Sequence, residues 1–170
     1  MRVFFAFFSA SFLLMGCNTE HHASANLEGD VRVSMVVSGM FSLQRDWKRT
    51  LIVEHRREKI SRELLEDTGW WRGSNLYLAE ADLVILDEGQ GGCVAFRLNP
   101  VRFDDQASRC PERLEKLTNE EVSGGNTNAK SDVYSGMRYL GRFNEALDKG
   151  APVELLTQEE APEIRLPAPI

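Results

Sequence analysis

The chain has 170 residues, with 20 Lys and Arg against 26 Asp and Glu, a formal net charge of −6. An acidic balance of this size excludes a general nucleic-acid binder, which carries a dominant basic face. The length suits one domain with a real hydrophobic core.

Met1 to Cys17 reads MRVFFAFFSASFLLMGC, in which Arg2 precedes an uncharged, mostly apolar run from Val3 to Met15, then Gly16 and Cys17. A positive start and an apolar run ahead of a small residue are the marks of a secretory signal. The run falls short of the roughly 20 residues that a spanning helix needs. Its ending, Leu14-Met15-Gly16-Cys17, resembles the lipobox of bacterial lipoproteins. That resemblance implies a signal peptide over residues 1–16, cleavage before Cys17, a diacylglycerol thioether on its sulfur and an acyl group such as palmitate on its new amine. Asn18 is not the Asp that commonly marks inner-membrane retention in that family, so the implied address is the outer membrane, facing the periplasm. Loss of residues 1–16 removes Arg2 and five of the nine Phe, leaving 19 basic against 26 acidic residues. No later apolar run approaches membrane length, so the lipid is the expected anchor.

Cys93 and Cys110 then remain as an even pair. In an oxidising compartment two such thiols are expected as a disulfide rather than a metal or redox site. Closing a loop of this size contributes roughly 3 kcal/mol in the chain-entropy picture.

Residues 17–29 are expected to be the lipidated cysteine and a flexible tether, because Asn18 to Gly29 is polar and poor in bulky side chains. A single β-rich domain over 30–158 and an extended Pro-rich tail over 159–170 complete the organisation. Val31 to Ser38 alternates cleanly, with Val31, Val33, Met35 and Val37 on one side, as in a half-buried strand. Between 43 and 66 the signals conflict. Leu43, Trp47, Leu51 and His55 follow a helical step, whereas Thr50-Leu51-Ile52-Val53 is β-rich, which favours a strand at about 50–57. Ser61 to Asp67 reads as a helical turn or another strand. A meander follows: Leu76 to Ala79; Leu83 to Leu86, apolar on both parities and so covered on both faces; a Gly-rich turn over 87–92; and Cys93 to Leu98. Cys110 to Leu117 carries Cys110, Leu114 and Leu117 at helical spacing with Pro near its first turn, predicting a short helix pinned by the disulfide over the Cys93 face. Ser123 to Ser131 is a loop by composition. Met137, Tyr139, Gly141 and Phe143 alternate on a further strand, and Val153 to Thr157 forms another. The fold class is therefore mainly β: a small antiparallel sandwich or partly open barrel of six to eight strands with one short disulfide-pinned α-helix.

The motifs G-x-S-x-G, H-E-x-x-H, the P-loop and G-x-G-x-x-G are absent from the sequence. His21 and His22 fall in the tether, leaving His55 as the histidine of the domain; a strand-edge position is the ordinary reading and general-base work the sharper one. Asp87-Glu88 with its glycines lacks the alternating ligands of a calcium loop. Neither a metal, a cofactor nor a catalytic residue is assigned. Trp70-Trp71-Arg72 is the candidate partner-binding patch, because in an extended stretch one Trp faces outward beside Arg; the alternative buries both rings. Residues 45–62 carry a net +4 and residues 145–163 a net −5, which suits lipid-headgroup contact, mutual pairing or simple solvation. The function these features favour is a non-catalytic binding or structural role, from a lipid anchor, towards a protein, peptidoglycan or glycan of the envelope. The alternatives are an inhibitor or accessory subunit that probes an enzyme with Ser123–Ser131 or the 87–92 turn, and a small periplasmic hydrolase.

Overall fold

The computed structural model describes residues 20–27, 30–40, 46–67, 69, 71–113, 133–146 and 153–166. The expectations for the signal and Cys17, for Trp70, for residues 114–117 and for Ser123–Ser131 lie outside these residues. Among the described residues the chain forms ten strands: β1 (Glu20–Leu27), β2 (Val31–Gly39), β3 (Trp47–His55), β4 (Glu58–Glu63), β5 (Ser74–Leu78), β6 (Leu83–Asp87), β7 (Cys93–Leu98), β8 (Val101–Phe103), β9 (Arg138–Asn144) and β10 (Glu154–Thr157). They make two antiparallel sheets, ordered β1-β2-β3-β4 and β10-β9-β5-β6-β7-β8.

The inward faces follow from alternation. On β2 the residues Val31, Val33, Met35 and Val37 are buried, and on β3 Leu51 and Val53 oppose Met35 and Val33. From the larger sheet Leu76, Val84, Leu86, Val94, Phe96 and Phe143 join them in one core. The sheet edges approach one another at both sides, β1 beside β10 and β4 beside β8. At the second seam the Val101 N–H donates to Glu58 Oε2, and the Arg62 guanidinium lies 4.1 Å from the Phe103 ring centroid. The result is sandwich-like and close to edgeless, which shields edge strands from foreign pairing.

Three expectations change. The polar stretch read as a tether is largely β1, paired with β2 from Glu20↔Ser38 to Leu27↔Val31. Its own residues have weak β propensity; an apolar, alternating β2 needs a partner on that side, and context overrides propensity. The expected helix at Cys110 to Leu117 is not formed where it is described. Cys110 to Pro111 is irregular, and Arg113 is bridged to Tyr134. Three apolar residues at helical spacing are a weak signal, since so short a helix has little stability of its own. Extended contacts of Arg113 with Asp87, Tyr134 and the Leu166 carbonyl take its place. No helix occurs among the described residues, and ten strands replace the expected six to eight.

The third change is a parity switch on β9. Pairing with β5 passes from Leu76↔Gly141 to Tyr77↔Tyr139, so Leu140 is an extra, bulged residue. Phe143 faces the core between the sheets, but beyond the bulge Tyr139 joins Tyr77 and Tyr134 on the outer face. Leu140 and Arg138 turn inward instead. Gly141 permits this, with φ of 146° and a backbone so close to β10 that an added Cβ would meet Leu156 O at 2.6 Å. Bulges re-aim side chains in just this way.

The outer face of the larger sheet is covered as well. Leu83, Ile85, Cys93 and Ala95 pack with Ala107 and Met137, which explains why Leu83 to Leu86 is apolar on both parities. The expected disulfide joins Cys93 to Cys110. The tail packs along the same side, its Ile164 carbonyl accepting Asn75 Nδ2 at 2.7 Å, with Leu166 buried.

Candidate functional site

Two polar constellations stand at opposite ends of the sandwich. At the end where β3 begins, Arg49 occupies an inward position in the series Trp47, Arg49, Leu51, Val53, and it is only 1% exposed. Its Nε and Nη2 donate to Leu65 O at 3.1 and 2.6 Å. Nη1 donates to Ser74 Oγ and Glu88 O at 3.3 and 3.2 Å, and Nη2 also reaches Gln90 Oε1 at 3.4 Å. The guanidinium lies 5.1 Å from the Trp71 ring centroid. Glu88 Oε2 accepts the Leu65 N–H at 2.7 Å but is 3.9 Å from Arg49 Nη2. Burial lowers the Arg49 pKa to about 10, with Glu88 and Asp67 opposing that shift. Burial also raises the Glu88 carboxyl, against the pull of the Leu65 N–H and Arg49. Both members of the pair are pushed towards neutrality, so hydrogen bonds to neutral groups hold this charge more than the ion pair does. Every polar arm of Arg49 is engaged, which makes this end a lock rather than a reaction centre.

On the outer face nearby, Asp87 Oδ2 accepts Arg113 Nη2 at 2.7 Å and the Tyr134 hydroxyl. The Tyr134 hydroxyl is raised first by burial and then by the Asp87 charge, and it stays protonated as a donor. The 87–92 turn, expected as a projecting probe, is drawn inward instead. Asp87 and Glu88 are buried, and Gly89 sits so close to Gly73 that a Cβ would meet its carbonyl oxygen at 2.0 Å.

The opposite end is open. A cavity of about 460 Å³ lies between the sheets there, in the size range of small-molecule sites. Its floor is Val31 and Val84, both buried, and its walls are Leu27, Leu78, Leu98 and Leu140, from β1, β5, β7 and β9. His55, Arg56, Asp82, Asn99 and Arg138 stand at the rim. Arg138 and Leu140 reach it only because of the β9 bulge. Arg56 opens the two-residue turn from β3 to β4 with φ of 56°, a left-handed conformation uncommon for a residue with a Cβ. Asp82 is committed to a cation outside the mouth, accepting Arg97 Nη1 at 2.8 Å, while Arg97 Nε reaches Asp104 at 3.1 Å. A second depression of about 370 Å³ adjoins the first and shares His55, Arg56 and Asn99 with it, adding Arg57, Glu58 and Pro100.

The sequence-predicted residues distribute as follows. Cys93 and Cys110 meet in the disulfide, away from the cavity. Trp71 is 2% exposed, its Nε1–H donating to Ser74 Oγ at 3.0 Å, so it belongs to the core beneath Arg49 and offers no surface. Arg72 is exposed and 3.7 Å from Glu145 Oε2. The expected Trp–Arg patch therefore loses Trp71, while Trp70 is outside the described residues. His55 stands on the cavity rim. The basic stretch of 45–62 is divided between the Arg49 lock, the rim and local pairs such as Lys59–Glu54 at 3.1 Å and Arg62–Asp105 at 2.7 Å. Arg49 escaped notice in the sequence, although a charge at an inward place in a strand alternation marks it. No group of three or more His, Cys, Asp or Glu able to hold a metal occurs among the described residues. Comparison with known proteins found no matching family model, no matching curated protein and no matching solved structure.

Proposed function

We propose that this chain is a lipid-anchored protein of the bacterial envelope whose domain binds another envelope component without catalysing a reaction on it. The observation that carries the binding role is the open cavity between the sheets, bounded by apolar walls and a polar rim. The lipobox-like Leu14–Cys17 supports the anchor, and the Cys93–Cys110 bridge suits an oxidising compartment. Only Asn18 and Thr19 separate Cys17 from β1, and β1 runs from the locked end to the open one. A lipid on Cys17 therefore holds the locked end towards the bilayer. The mouth then stands roughly 24 Å further out, at about 3.4 Å per residue. The address we infer is the outer membrane, facing the periplasm, with a protein, peptidoglycan or glycan of that space within reach.

One observation favours a hydrolase as the second reading, since His55 and Asp82 line the same cavity. Asp82 is held by Arg97, however, and so is occupied away from the role of orienting an imidazole. His55→Gln separates the readings, because a hydrolase loses turnover while a binding module keeps its partner. The anchor is tested by Cys17→Ser. Loss of lipid labelling and release from membranes is the expected outcome, and normal membrane retention without lipid removes the reading. Crosslinking in intact envelopes, with the crosslinker at Asn99 on the rim, should capture the partner; capture from a crosslinker at Arg72 alone would move the binding face elsewhere.

A further inference from the structure

The two depressions at the open end differ in chemistry and share a border. The larger has an apolar floor and walls, whereas the smaller is lined by His55, Arg56, Arg57, Glu58, Asn99 and Pro100. The acid of the smaller one is engaged, since Glu58 Oε2 accepts the Val101 N–H at 3.3 Å. The acid of the larger one, Asp82, accepts from Arg97 Nη1, a guanidinium it shares with Glu80 and Asp104 outside the mouth. Arg56 and Arg57 are exposed, and Arg138 adds a third guanidinium at the larger mouth. An apolar chamber opening onto a cationic vestibule is complementary to a molecule with an apolar body and an anionic head.

We propose that the two depressions form one site for a single-chain anionic amphiphile. Its apolar chain enters between Leu78 and Leu140, and its carboxylate is held by Arg56 and Arg57 beside His55. Planar guanidinium groups suit such a head because they donate in a fork that matches carboxylate geometry. The β9 bulge belongs to this site, for it supplies both an apolar wall residue and a rim cation from one strand. The inference rests on the binding role given above and adds a lipid-like ligand to the protein, peptidoglycan and glycan components considered there.

The test uses the full chain as expressed, whether or not Cys17 carries lipid, with phosphatidylcholine nanodiscs and a twelve-carbon fatty acid carrying a photoreactive diazirine near its methyl end. The matched alcohol and inorganic phosphate serve as controls, and adducts are mapped by mass spectrometry. The acid should label the β5, β7 and β9 segments about tenfold more than the alcohol, the scale of one charge-assisted contact. Millimolar phosphate should leave that labelling in place. Arg56→Gly should bring acid labelling down to the alcohol level; glycine accepts the φ of 56° without strain, so the fold is kept. Leu140→Trp should fill the chamber and abolish labelling at these segments. Equal labelling by acid and alcohol, displacement by phosphate alone, or unchanged labelling in Arg56→Gly would overturn the proposal. Failure of the anchor, seen with Cys17→Ser, is a separate result, because adduct mapping in nanodiscs is blind to where the cell delivers the protein.

Discussion

At the end of the sandwich where β3 begins, Arg49 joins the Leu65, Ser74, Glu88 and Gln90 segments through its hydrogen bonds, with Trp71 against its face. Where β3 ends, the same strand delivers His55 and Arg56 to the rim of a cavity. The disulfide, the buried turn at 88–89 and the docked tail all gather at the first end. The second has a left-handed arginine, a bulge next to it in space and space left unfilled. Cores fill to near crystal density unless something else is at stake, and strain tends to collect at functional sites. Polar and covalent ties are concentrated at one end, and the space left at the other is what the proposed binding role requires.

Substitutions should separate the ends. Arg49→Met strips donors from the Leu65 carbonyl and the buried Glu88 carbonyl and leaves Glu88 without its cation, so a loss of about 3–5 kcal/mol is expected by urea titration. Arg56→Gly should stay within about 0.5 kcal/mol of the parent. Similar losses for the two would erase the contrast between lock and mouth. Replacing Cys93 and Cys110 together by Ala should cost roughly 2–4 kcal/mol, the range for a loop of this kind. That loss should leave photolabelling at the cavity intact; a matching loss of labelling would mean the mouth depends on the bridge. Leu140→Ala should cost only about 1 kcal/mol, below the 2–5 kcal/mol of a sealed core leucine, because it widens a space already open. A full core-sized loss would show that Leu140 is structural first and a cavity wall second.

The elements that could be read in advance are those where burial and period agree. Val31 to Val37 alternates because one face meets the other sheet, and Leu83 to Leu86 lacks alternation because both faces are covered. Cys93 and Cys110 were legible by parity of number. β1 was not, since His22, Ser24 and Asn26 point to solvent and only Ala23 is buried, leaving no apolar period to detect. The strand exists through pairing with β2, a long-range fact. On β9 the alternation of Tyr139, Gly141 and Phe143 looked regular, yet the bulge at Leu140 splits it across two faces. Arg49 was hidden by counting it among surface charges. The cavity was beyond reach for a different reason: it is made of residues from both sheets that do not quite meet, and an absence of contact leaves no mark in a sequence.

The mildest test of the lock is its response to pH. Burial holds the Glu88 carboxyl above its ordinary value of 4.5, so the folded state retains that proton more readily than the unfolded chain does. The sign follows directly: the favourable contribution of Glu88 is complete below the unfolded value and is lost as pH rises through the raised folded value. Glu88→Gln mimics the protonated form and keeps an oxygen to accept the Leu65 N–H. Its stability relative to the parent should therefore improve as pH climbs from about 4 towards neutrality. Denaturation midpoints of the two proteins, taken at half-unit intervals across that window, measure the trend. A gap that moves the opposite way would show that the Arg49–Glu88 attraction outweighs burial, and that the lock is an ion pair after all.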